Sequence, residues 1–124
     1  MRIRKSILAA CGAALIVLAT TAGGHAASSR TYLTFDKAVA LPGVTLAGGT
    51  YLFERMGTGN DLVRVSSQDG ARVYLTAFTH EIARPAGSNA DLTILLGEAS
   101  AGMPVPIRAW FPEHADAGRE FIYR

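Results

Sequence analysis

Leu62-Val63-Arg64-Val65, then Gln68-Asp69-Gly70, then Arg72-Val73-Tyr74-Leu75-Thr76-Ala77-Phe78-Thr79 is the stretch that decides the fold class. Alternation with period two on both sides of an Asp-Gly pair is the pattern of two strands joined by a tight hairpin. In the second strand Val73, Leu75 and Ala77 alternate with Tyr74, Thr76 and Phe78. Both faces carry bulk, which predicts a central position in a sheet.

The same pattern extends in both directions. Thr31 to Phe35, Val39-Ala40-Leu41, Val44-Thr45-Leu46 and Thr50 to Arg55 precede the hairpin, divided by Pro42-Gly43 and Ala47-Gly48-Gly49. Leu92 to Leu96, Ile107 to Phe111 and Glu120 to Tyr123 follow it. Pro104 and Pro106 confine their surroundings to a sheet edge or a strand entry, because neither has an N–H for a ladder. No stretch after residue 30 keeps a helical period. The expected fold is all-β: a single small antiparallel β-sandwich (or small barrel) of seven to eight short strands. Among its edges, the terminal strand is the better candidate for association, since an unpaired edge invites pairing.

The first 26 residues are expected to be a secretory signal peptide, with residues 27–124 as the single domain. Arg2, Arg4 and Lys5 form a positive start, Ile7 to Ala22 is uncharged and mostly apolar, and Gly24-His25-Ala26 offers small residues for cleavage between Ala26 and Ala27. The apolar run is shorter than the roughly 20 strongly apolar residues of a membrane span. Leu8-Ala9-Ala10-Cys11 has the look of a lipidation motif, but most of the apolar segment lies beyond Cys11, so the cysteine belongs to the leader. Without the leader, nine basic residues remain against ten acidic ones, a net charge of −1, with Lys37 the sole lysine. The high isoelectric point belongs to the leader, and no basic cluster speaks for nucleic acid. Membrane contact is expected only through the leader before cleavage, and the exported domain is cysteine-free.

Leu41-Pro42-Gly43 with Leu46-Ala47-Gly48-Gly49-Thr50-Tyr51-Leu52-Phe53 resembles an L-P-A-G-x-Y-x-F signature of small exported bacterial β-sandwich proteins of unassigned function. Gly118-Arg119-Glu120-Phe121-Ile122-Tyr123 resembles their terminal G-x-E-F-x-Y strand. Ala47 stands where that signature has a proline. The resemblance implies an exported β-sandwich, in periplasm or medium, and implies no activity.

Residues with chemistry are few. Gly97-x-x-Ser100-x-Gly102 has one residue too many for a nucleophile elbow and no helix to follow. Glu113, His114 and Asp116 cluster on one loop, and they would make a metal site only if His80 or Glu81 converged on them. Trp110 and Phe111 are adjacent on a strand, so one ring should face the core and the other solvent. With Tyr74 or Tyr32 nearby, an outward ring would offer a platform for a sugar or peptide; the favoured expectation is that the lone tryptophan is the principal core aromatic, since large aromatics dominate the cores of small domains. No cofactor is expected. The function read from these features is an exported, non-catalytic protein that binds or builds in the cell envelope, its envelope-protein or glycan partner unspecified. The alternatives are a glycan- or peptide-binding module and a small metal-dependent enzyme.

Overall fold

The Asp69-Gly70 pair turns the chain as its chemistry requires. Gly70 takes a left-handed φ of 78°, open to a residue without Cβ. Asp69 Oδ1 accepts from the Ser67 hydroxyl at 2.6 Å and from the Ala71 amide at 3.0 Å. The Ser67 amide donates to the Arg72 carbonyl at 2.7 Å and closes the hairpin. These bonds favour the carboxylate, the Ser67 hydroxyl most, and hold Asp69 below its ordinary pKa.

The computed structural model describes residues 17–21, 30–56, 61–88, 92–112 and 115–123. Ten strands are found there: β1 (Val17–Thr21), β2 (Arg30–Phe35), β3 (Val39–Leu41), β4 (Val44–Leu46), β5 (Gly49–Arg55), β6 (Leu62–Ser67), β7 (Val73–Ala83), β8 (Ile94–Leu96), β9 (Val105–Trp110) and β10 (Ala117–Phe121). The fold is all-β. The strands form one sheet in the order β1-β2-β5-β6-β7-β10-β9-β3-β4, and β8 takes the remaining edge of β9. Every pairing is antiparallel except that of β3 with β9, which run parallel at Val39–Ala40 and Val105–Pro106. That pairing is short because Pro104 and Pro106, at the entry of β9, bring no N–H.

The sheet stays open and curls onto itself. Phe53 of β5 lies 6.0 Å from Trp110 of β9, ring centre to ring centre, although the two strands stand four places apart. Leu33, Phe35, Tyr51, Phe53, Val63 and Val65 line one half of the core. Val39, Leu41, Leu46, Ile94, Ile107, Trp110 and Phe121 close over them from the other half. Aromatic burial on this scale is the main stabilising term in so small a domain.

β7 is interior, between β6 and β10. A bulge opposite Val65 and Ser66 leaves Tyr74 without its own partner, and so Tyr74 and Leu75 both pack on the core. Beyond it Phe78 points outward and is 67% exposed.

The terminal strand is not an edge, which corrects the expectation from the sequence. β10 is paired on both sides, with β7 along its length and with β9 at Glu120 and Arg119. Gly118 makes room for this. A methyl group there would overlap the Phe111 ring and lie 2.6 Å from the Trp110 carbonyl. Just past β10, the Tyr123 hydroxyl reaches the carbonyls of Ile107 at 2.5 Å and Ala40 at 3.0 Å. It bridges β9 and β3 where their two-pair ladder ends.

Candidate functional site

Arg119 is the most constrained charged group among the described residues. It sits on β10 with 5% of its side chain exposed. Its Nε donates to the Thr79 hydroxyl at 3.0 Å, and its Nη2 donates to Asp61 Oδ1 at 2.7 Å and to the Thr79 carbonyl at 3.4 Å. Glu81, its cross-strand partner on β7, approaches Nη1 at 4.0 Å. The Thr79 hydroxyl in turn donates to the Asp61 carbonyl at 2.6 Å. A planar guanidinium satisfies this fork geometry where an ammonium would not. Asp61 and Glu81 both reach solvent, with 60% and 73% of their side chains exposed. The arrangement fastens the segment entering β6 onto β7 and β10. Nothing in the sequence marked Arg119, since neither its burial nor its distant partner Asp61 leaves a local pattern.

Arg84 plays a similar part past the end of β7. It donates to the carbonyls of Ala115 at 3.1 Å and Leu92 at 2.6 Å, and its guanidinium lies over the Phe111 ring at 5.3 Å. On the outer face, Glu54 of β5 stands between Arg64 of β6, at 2.7 Å, and Arg30 of β2, at 3.4 Å. The registers Arg30↔Glu54 and Glu54↔Arg64 place the three in one cross-strand row.

The sequence-derived candidates fall as follows. Trp110 and Phe111 are both fully buried, so neither offers a ring to a ligand. Trp110 belongs to the core cluster, while Phe111 is buried outside it, under Arg84 and against Gly118. Tyr74 is half-buried, edge-on to Tyr51 at 5.5 Å and under the Arg72 guanidinium at 5.5 Å. His80 is exposed on β7 opposite Glu120 of β10. Asp116 is exposed just before β10. Glu113 and His114 lie outside the described residues, as do Ala26 and Ala27. Among the described residues no group of three or more His, Cys, Asp or Glu could hold a metal ion.

Two surface features remain. One is the outward Phe78, cross-strand from half-buried Leu62. The other is the outer edge of β2. All five residues of β1 pair antiparallel with it, from Val17↔Phe35 to Thr21↔Thr31. β1 gives little to the interior: Val17 is half-buried against the core, while Leu18 is 61% exposed.

The chain matches no family model, no curated protein and no solved structure. The elements that could carry function are therefore those its own geometry supplies, and the β2 edge is the longest of them.

Proposed function

We propose that the chain is exported, is cleaved between Ala26 and Ala27, and acts as a non-catalytic β-domain of the cell envelope, in a binding or structural role. One observation carries this reading. The strand that covers β2 is Val17–Thr21, inside the segment read as a leader, so removal of that segment would convert a satisfied edge into a row of unpaired N–H and C=O groups. The polar groups support it as well. The Arg119–Thr79–Asp61 and Arg84 bonds join strands and loops to one another, a structural use of charge. The mass of the protein recovered from the envelope or medium of an expressing cell is the test. A product beginning at Ala27 is expected, and one that still carries Met1, or never leaves the cytoplasm, overturns the proposal.

A second reading, a glycan- or peptide-binding face, is favoured by Phe78, an outward aromatic beside Leu62. An exposed ring on the outer face of the sheet suits stacking against a sugar or an apolar side chain. Binding on a glycan array that is lost in Phe78→Ser, with the fold retained, would favour this face; no binding by the parent protein would dismiss it.

A further inference from the structure

We infer that β1 is a folding-dependent lock on processing: once the domain has folded, the sheet holds Val17–Thr21 and keeps that part of the leader out of the membrane. The inference rests on the leader assignment proposed above, and it concerns the one occupant of the β2 edge that the structure shows. Ile7 to Ala22 is the uncharged run that has to enter the bilayer for cleavage at Ala26. β1 is the second half of that run, the half nearest the cleavage position. All five of its residues pair antiparallel with β2, from Val17↔Phe35 to Thr21↔Thr31. In lipid a single segment satisfies its backbone only as a helix. An extended strand laddered to β2 cannot be that helix, so the two placements of Val17–Thr21 exclude each other.

The lock is weak, and it forms late. Among the described side chains of β1, Val17 is half-buried against the core while Leu18 is 61% exposed. The backbone ladder therefore does most of the holding, and the entropy of ordering five residues nearly offsets it. A docked form about ten times as populated as the released one suits that balance. The edge that receives β1 exists only after β2 has paired with β5. The core behind it closes through partners distant in sequence: Phe53 against Trp110, β3 beside β9, and the Tyr123 hydroxyl on the Ala40 carbonyl 83 positions away. Contacts of such separation make folding slow. A chain that reaches the membrane unfolded meets no lock, whereas one that folds first is held back.

Cleavage of the full-length precursor by signal peptidase in membrane vesicles tests this, read as the rate at which product beginning at Ala27 forms. The folded precursor should be cut about tenfold more slowly than Phe53→Asp, whose core cannot close and whose leader is untouched. Parent precursor diluted from urea directly onto the vesicles gives a second unfolded reference. Any folded domain could hinder the enzyme by its bulk, so the ladder is tested separately. Ala19→Pro with Thr20→Pro removes two successive N–H groups, one of which faces β2 in an antiparallel ladder. With both prolines, the folded precursor and its Phe53→Asp counterpart should be cut at rates within about twofold. Comparing the two within one leader cancels any effect of the prolines on the enzyme itself, and circular dichroism confirms that the folded variant keeps its strands. Equal rates for the parent and Phe53→Asp, or a tenfold gap that survives the prolines, overturn the lock and leave cleavage at Ala27 standing. No product beginning at Ala27 from any precursor overturns the export reading itself.

Discussion

At Gly118 the fold depends on an absent atom. β10 passes so close to Phe111 and the Trp110 carbonyl that a Cβ has no room, and backbone cannot yield as a flexible side chain would. Gly118→Ala should cost about 3 kcal/mol, the upper end of overpacking in a well-packed core, read from the urea midpoint. Tyr123 acts by its hydroxyl. Burial is the main reason its pKa is pushed up to about 12. A folded pKa above the unfolded value of 10 means that the native state keeps its proton longer. This stabilisation is whole below pH 10 and is lost as pH rises toward 12. Tyr51, raised mainly by its burial, loses stabilisation in the same direction. Tyr123→Phe should cost about 1 kcal/mol at neutral pH and should flatten the alkaline decline without abolishing it. Unfolding free energies measured at several pH values between 8 and 12 check both effects.

Among elements, the strands were readable and their neighbours were not. Period-two alternation marks β2, β5, β6 and β7 within a few residues; it reports burial most cleanly in β2, whereas β5 buries Tyr51, Leu52 and Phe53 on both faces. The interior place of β7 also follows from bulk on both faces. Pairing order leaves no such trace. β10 looks like a terminal edge by sequence position, yet it lies between β9, the strand just before it, and β7, three strands back. The same limit hid Arg119, whose carboxylate partner is 58 positions away. Trp110 and Phe111 show where alternation misleads: a register shift between Ile107 and Ala109 breaks the pattern inside β9, and the face opposite the core is covered at Phe111 by Arg84. Asp61→Ala tests the clip. It leaves a buried guanidinium with Thr79 as its nearest partner, so stability should fall by about 1.5–3 kcal/mol. Glu54→Gln keeps an amide oxygen to accept from Arg64, and Arg30 and Arg64 both reach solvent, so it should cost under about 1 kcal/mol and grow less costly in high salt. Urea melts at low and high ionic strength separate the two.

For the whole molecule, the question is whether the domain stands without β1. The core says that it does. Its two halves are drawn from β2 onward, and among the described side chains of β1 only Val17 packs against them. β1 adds ladder hydrogen bonds worth roughly 0.5–1.5 kcal/mol each in net terms, but fixing each of its residues costs a comparable 1–2 kcal/mol of chain entropy. These contributions nearly offset one another, so an edge strand with one core contact can be given up cheaply. Had β1 supplied a residue of the size and burial of Phe53 or Trp110, cleavage would unfold the domain. The processed protein should therefore unfold in a single transition at a free energy within about 1–2 kcal/mol of the uncleaved chain, compared by urea titration at a concentration low enough to keep both monomeric. Removal of β1 should instead raise amide exchange along β2, where protons shielded by β1 become exchangeable while those bonded to β5 stay protected. Loss of protection in Val63, Val65 and Phe53 as well would show that β1 belongs to the core.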